Sequence, residues 1–196
     1  FSNSHFILQL SNYLLTGLVE SIRPCQDDFT KVEVSVLEGP KPTLRKLENK
    51  QQERDFIVGR IRDLRRDFPS DSICVLHRTH MGLTGLERVL KGEGIECEMN
   101  GHGKDKVNYA STGVKLSTMH TIKGLEFDHV IIAELTDYHL PLPIRGSDPD
   151  DDLHITTERR LLYTCMTRAK KTLSMTYTGE ASCFIKEIDP SLLSDC

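Results

Sequence analysis

The sequence predicts an α/β fold, a parallel sheet flanked by helices in a nucleotide-fold architecture. Two observations carry that expectation. Short apolar runs recur at 72–77, 114–118 and 129–133, as strands buried on both faces of a parallel sheet require. Helix-period patterns alternate with the strand patterns along the chain, and strands separated by helices argue for βαβ units.

The elements follow in order. Residues 3–19 carry Phe6, Ile7, Leu10, Leu14 and Leu18 at helical spacing, with an end expected near Gly17. From Lys31 to Leu37, Val32, Val34 and Val36 alternate with polar partners, which predicts a strand, and a Gly/Pro-rich turn follows at 38–42. A charged helix is expected over 49–67, with Phe56, Ile57, Ile61 and Leu64 on one face and Phe68-Pro69 closing it. After the strand at 72–77 come a helix from about Leu83 to Lys91, stopped by Gly92 and Gly94, and a short strand at 95–99. Two more strands at 114–118 and 129–133, a helix at 157–170 and a last strand at 172–177 complete the pattern.

Composition bounds the function. The 196 residues read as one domain, and 38% hydrophobic with 28% charged residues excludes disorder. No run approaches the ~20 apolar residues of a membrane span, so no membrane partner is expected. The first residues lack the basic segment and cleavage site of a signal peptide, and the absence of an initiator methionine predicts a fragment of a longer chain. A net charge of −4 means that a nucleic-acid partner needs a local basic patch or backbone-amide contacts. The six cysteines form no CxxC pair and read as reduced thiols in a cytoplasmic protein. No metal site is read: His102, His129, His139 and His154 are scattered singly, and the acidic run 148–152 is favoured as a solvated loop over a cation site.

Two segments could carry chemistry. The first, 114–132 (VKLSTMHTIKGLEFDHVII), is strand, polar turn, strand, with Thr118, His120, Lys123, Gly124 and Glu126 in the turn. Ligands of open parallel sheets sit outside the carboxyl ends of the strands, and a lysine, a glycine and a carboxylate there suit a phosphate and a ribose. The same residues also suit a hydrogen-bonded connection with solvated charges. In the second, 156–171, helical spacing puts Leu161, Leu162, Cys165, Met166 and Ala169 on one face and Arg160, Thr164, Thr167, Arg168 and Lys171 on the other. That polar stripe could face a phosphate, or its cations could compensate the helix dipole; spacing alone does not choose.

These segments resemble a known family. LSTMHTIKGLEFD (116–128) is similar to motif V, and ERRLLYTCMTRAK (158–170) to motif VI, of superfamily 1A helicases of the UvrD/Rep/PcrA type. ICVLHRTH (73–80) resembles the strand-to-loop segment that members write as an apolar run and Tyr-Arg-Thr-Asn, and residues 7–15 resemble the helix after their Asn-Tyr-Arg-Ser element. The resemblance implies the C-terminal RecA-like domain (2A), a P-loop NTPase-type fold without the P-loop, since GxxxxGK[ST] occurs nowhere. Only residues 101–112 fill the place of the family's 2B insertion, which is expected to be absent.

The resemblance implies roles residue by residue. Arg168 would reach the γ-phosphate across an interdomain cleft, Glu126 would accept from the ribose, and Lys123 with Gly124 would lie at the nucleotide edge. Thr118, His120, Arg78 and His80 would face single-stranded or partly duplex DNA, His80 standing where an asparagine is common. No nucleotide role passes to Phe1 or Ser2, where the family's tyrosine and arginine do not match. ATP and Mg2+ would be held mainly by an N-terminal RecA-like domain of the same chain. The whole would be a DNA helicase or translocase of repair or replication, 3′ to 5′ by resemblance, with this fragment inactive alone. The alternative is a non-catalytic interaction or regulatory module that keeps the fold.

Overall fold

The structure, a computed structural model, describes residues 3–19, 39–99, 113–122, 124–143 and 151–194. The strand expected at 31–37, the short stretch 101–112, Lys123, Phe1, Ser2, His102 and most of the acidic run lie outside them. The described elements are α1 (His5–Val19), β1 (Thr43–Leu47), α2 (Lys50–Asp67), β2 (Ile73–His77), α3 (His80–Gly92), β3 (Cys97–Met99), β4 (Val114–Thr118), β5 (Phe127–Ile132), α4 (Asp151–Met166), β6 (Ala169–Thr178), a one-turn α5 (Cys183–Lys186) and a 3₁₀ turn at Pro190–Leu192. The strands form one six-stranded sheet in the order β1-β6-β5-β2-β4-β3, and every strand pair is parallel.

Period-two alternation within the apolar strands separates two cores. Cys74 and Leu76 of β2 and Val130 and Ile132 of β5 point to a core shared with Ile7, Leu10 and Leu14 of α1 and Leu162, Cys165 and Met166 of α4. Ile73, Val75 and Ile131 point to the other face, where α2 contributes Ile57, Ile61 and Leu64 and α3 contributes Leu83, Leu86 and Leu90. The result is a three-layer α/β/α sandwich, which is the expected RecA-like class. Asn49 caps α2 by accepting from the Gln52 N–H at 3.0 Å, and Phe68 N–H closes its end on the Leu64 carbonyl at 2.8 Å. Thr79 caps α3, which starts at His80, three residues before the expected start, and α1 runs past Gly17 to Val19.

Three expectations need correction. Strand β1, at the edge of the sheet among the described residues, is absent from the sequence reading, because TLRKL carries no apolar alternation; its register with β6, Thr43 opposite Ser174 to Leu47 opposite Thr178, forms it. Nearby, Lys41 Nζ donates to the Ser191 carbonyl and Ser194 N–H to the Pro42 carbonyl, both at 2.9 Å. Second, the last long helix spans 151–166 rather than 157–170. The chain leaves it at Thr167 and enters β6 at Ala169, so Lys170 and Lys171 belong to a strand and Arg168 to the turn before it.

Third, the segment between β4 and β5 is no compact turn. Both strands run parallel to β2 and flank it, so residues 119–126 must return along the length of the sheet. A five-residue strand is about 17 Å long and two strand spacings add roughly 10 Å sideways, a diagonal of about 20 Å. An eight-residue helix covers only about 12 Å, whereas eight extended residues reach roughly 26–29 Å. The connection is therefore irregular, and it is held down by Met119 and Ile122, both buried in the α1/α4 core.

Glu53 joins α2 to the sheet. Its buried carboxylate accepts the Glu134 N–H at 3.0 Å and the Thr176 hydroxyl at 2.5 Å. Burial pushes its pKa up, against the pull of those two donors. A raised carboxylate makes the native state weaker above its folded pKa, and the cost disappears as pH falls below the ordinary value. Glu53→Gln keeps an acceptor for both donors and removes the charge, so it should be at least as stable as wild type at pH 7, with its margin shrinking in acid. Glu53→Ala strands both donors and should lose about 1–3 kcal/mol for each. Urea denaturation at pH 7 and pH 4.5 checks both outcomes.

Candidate functional site

The crossover 119–126 divides the candidate residues between opposite edges of the sheet. At the carboxyl edge, β2 ends at His77 beside Thr118 of β4, and the Met119 N–H donates to the His77 carbonyl at 3.1 Å. Arg78, Thr118, His120 and His80 therefore emerge from adjacent strand ends. The half-buried Thr118 hydroxyl lies 3.0 Å from that of Thr121, His120 is exposed, and His80 opens α3, also exposed. Partial burial, then the Arg78 charge, push the His120 pKa down, so a neutral ring is favoured there.

Arg78 is not turned to solvent. Its Nε and Nη2 donate to the two carboxylate oxygens of Glu158 at 2.9 and 2.7 Å, and its Nη1 lies 3.4 Å from His120 Nδ1. Glu158 also accepts the Leu142 N–H at 3.2 Å. Burial would raise the Glu158 pKa, but the Arg78 hydrogen bonds and charge and the Leu142 N–H outweigh it and hold the carboxyl below its usual range. Sequence reasoning missed Glu158 as a partner; the signal available is a carboxylate one turn before Leu162 on the inward side of α4.

At the amino edge, Gly124 adopts φ +84°, a left-handed conformation suited to glycine, and the exposed Glu126 precedes β5. Arg168 meets them there. Its carbonyl accepts the Phe127 N–H at 2.9 Å and its Nη1 reaches the Leu125 carbonyl at 3.5 Å. The carboxyl-end expectation thus fails for Gly124 and Glu126, because parallel pairing carries the crossover to the other edge, where Arg168 also lies. Arg168 Nε donates to the Thr164 carbonyl at 3.1 Å, and Nη2 to the Thr167 hydroxyl at 3.3 Å. Those contacts satisfy the end of α4, and the two Nη contacts are long.

A further group lies at the carboxyl edge. His77, Glu134 and His139 are the one set of three or more such side chains among the described residues whose ligand atoms cluster, all within 4.8 Å of one another. Burial opposes ionisation of Glu134, yet the His77 hydrogen bond and charge, then Lys50 and His139, take its pKa down to about 2. Sequence reasoning took His139 as one of the singly scattered histidines and did not bring it together with Glu134 or with His77, which is far away in the chain.

Comparisons with known proteins bear on the family and the fold. A family model described as the UvrD-like helicase C-terminal domain matches residues 4–105 and 100–180. The ATP-dependent DNA helicase PcrA of Staphylococcus aureus is 37% identical over 94 residues, 42% of this chain and 13% of that protein. PcrA of Staphylococcus epidermidis is 37% identical over 92 residues, 41% of this chain and 12% of the relative. The match thus spans about an eighth of those relatives. The solved C-terminal domain of a possible DNA helicase from Lactobacillus plantarum WCFS1 superposes with a TM-score of 0.69 at 19% identity, covering 98% of this chain and 96% of that one. The SWI2/SNF2 ATPase core of Sulfolobus solfataricus, solved with double-stranded DNA, gives 0.51 at 13% identity over 80% of this chain and 33% of that one. At those identities the two structures share the fold.

The Arg78–Glu158 pair generates a prediction. With side chains 10% and 3% exposed, it is a buried ion pair. Removing one partner leaves a buried charge, so Arg78→Ala should cost about 3–5 kcal/mol in a denaturant titration at pH 7. Because Glu158 is held low, its contribution is present above the usual carboxylate range and lost as pH falls through its folded pKa. The variant and wild type should therefore converge in acid.

Proposed function

This chain belongs to the UvrD-like helicase C-terminal domain family, and from that premise we propose that it is the second motor domain of an ATP-dependent DNA helicase or translocase. It supplies the γ-phosphate arginine, Arg168, and part of a single-stranded DNA track formed by Thr118, His120, Arg78 and His80. The observation that carries this reading is the crossover 119–126, one short segment with Thr118 and His120 at one edge and Gly124 and Glu126 beside Arg168 at the other. A shift of the nucleotide edge is passed to the DNA edge through Met119 and Ile122, buried and unable to move without the core.

The chemistry assigned to each residue follows from its type. A planar guanidinium matches the charge spread over a phosphoryl group in transfer, and the Arg168 Nη edge, held only by long contacts, is the part to turn toward it. The Glu126 carboxylate can accept from ribose hydroxyls, and Lys123 would stand beside Gly124 as a point charge. Thr118 and His120 can contact a phosphate backbone without reading sequence. ATP binds between this domain and an N-terminal RecA-like domain of the same protein. Mg2+ does not fit here: it wants an octahedron of oxygens, and the one described cluster holds two imidazoles. The ion would be held by the N-terminal RecA-like domain.

The non-catalytic alternative draws on the same contacts, since Glu158 occupies Arg78 and Thr164 holds Arg168. Turnover separates the two readings. In the full-length protein, Arg168→Ala should cut ATP hydrolysis by roughly 10³–10⁵-fold, with DNA affinity in the absence of nucleotide unchanged and Arg168→Lys rescuing little. A residue that only caps α4 gives the reverse, intact turnover with a stability loss of about 0.3–1 kcal/mol that lysine restores. The 196-residue chain alone should show no ATP turnover above background.

The DNA edge has its own test. Thr118→Ala and His120→Ala should each weaken single-strand binding by a similar factor for oligonucleotides of different sequence. Because a threonine hydroxyl and a neutral imidazole release no counterion, the dependence of affinity on salt should stay close to that of wild type. Fluorescence anisotropy at two or more ionic strengths measures both, and unchanged affinity in both variants removes this edge from the track. Arg78 is a poor first choice, because its substitution also breaks the pair with Glu158.

A further inference from the structure

We propose that His77, Glu134 and His139 form a site for a divalent transition metal, with Zn2+ as the cation their chemistry favours. The Nε2 atoms of both rings converge on one carboxylate oxygen, Oε2 of Glu134, at 3.0 Å from His77 and 3.3 Å from His139. A tetrahedral zinc with bonds of about 2.0–2.1 Å sets its ligand atoms about 3.3 Å apart, close to the two imidazole–carboxylate spacings present, and all three ligand atoms lie within 4.8 Å of one another. Two imidazoles and a carboxylate are an established zinc donor set, with a fourth position left for water.

The surroundings orient the ligands. His77 Nδ1 lies 3.0 Å from the Thr79 carbonyl and 2.9 Å from the Thr79 N–H, so either tautomer finds a partner. The tautomer that frees Nε2 for a metal donates Nδ1–H to that carbonyl. His139 Nδ1 lies 2.9 Å from the Thr136 hydroxyl, leaving its Nε2 toward the site. Partners of this kind on the second ring nitrogen are what metal-bound histidines use. The His77 ring is clamped by Gly82, where an added Cβ would come within 2.0 Å of Cε1. Glu134 is the one non-glycine residue with positive φ among the described residues, at +54°, a strained backbone in the segment that carries two of the three ligands.

Access and competition fit as well. Glu134 and His139 line a cleft of about 250 Å³ together with Lys50, Arg54 and Tyr138. Lys50 Nζ sits 3.3 Å from the other Glu134 oxygen, but its side chain is 61% exposed and can swing into solvent when a cation arrives.

The test uses the full-length protein, stripped with a chelator and dialysed, and Zn2+ alone as the probe, with Co2+ as its spectroscopic stand-in. The expected result is one equivalent bound per chain above the stoichiometry of a His139→Gln variant, a rise in Tm with Zn2+, and a visible Co2+ ligand-field spectrum of tetrahedral intensity. His139→Gln should weaken that binding by at least about tenfold while keeping the wild-type circular dichroism. Glu134→Gln should do the same, and His5→Gln, on the exposed side of α1, should not change it. His77 is buried under Gly82, so its own substitution is the less informative one. Equal binding by wild type, His139→Gln and Glu134→Gln overturns the proposal, as does the absence of saturable binding. The three residues would then be only a hydrogen-bonded tie between the ends of β2 and β5.

Discussion

Because β4 and β5 run parallel on either side of β2, the chain between them has no route except back across a face of the sheet. That face is already covered by α1 and α4, so the returning segment must bury apolar side chains under them or leave a void. Met119 and Ile122 fill the space, and the buried Cys165 thiol of α4 lies 3.6 Å from the Met119 carbonyl. A segment pinned at its middle presents both ends in fixed positions. The left-handed turn at Gly124 and the contact between Leu125 and Arg168 are set at one end, and the placement of Thr118 and His120 at the other.

Charge is placed at the joints between layers. Glu53 ties α2 to β6 and to Glu134, two residues beyond β5, Glu158 ties α4 to the end of β2, and Glu134 meets the end of β2 through His77. None of these carboxylates is left without donors, the condition under which burying one is tolerable. The balance differs between them. Burial wins at Glu53 and lifts its pKa, whereas the partners win at Glu158 and Glu134. The difference follows from partner type: a neutral hydroxyl and an amide at Glu53, a guanidinium at Glu158, and an ammonium with two imidazoles at Glu134.

The layers were legible from periodicity alone. Strands β2, β4 and β5 announce themselves as apolar runs, and α2 as a stripe ended by Phe68-Pro69. Strand β1 escaped because Arg45 and Lys46 face solvent at an edge, and an edge strand is made by its neighbour rather than by its own pattern. The end of α4 was misjudged by four residues because Thr167, Arg168 and Ala169 continue the helical pattern without a glycine or proline to stop it. Among the candidate residues, sequence pattern brought out the polar turn but not its division between two edges, which depends on which strands pair. Glu158 with Arg78, and His77 with Glu134 and His139, are tertiary meetings with no local signature.

The edge strand has a consequence for how copies of the molecule behave in a crowded solution. An open sheet margin invites another strand to add to it, and a run of free amides and carbonyls is a template for self-association. Among the described residues β1 is such a margin, and it carries Arg45 and Lys46, both exposed, so a second copy approaching edge to edge would set cations against cations. The approach to that margin is also narrowed where Lys41 and Pro42 are tied to Ser191 and Ser194 from the far end of the fold. The polar composition that hid this strand from pattern reading is what discourages the sheet from growing into a neighbour.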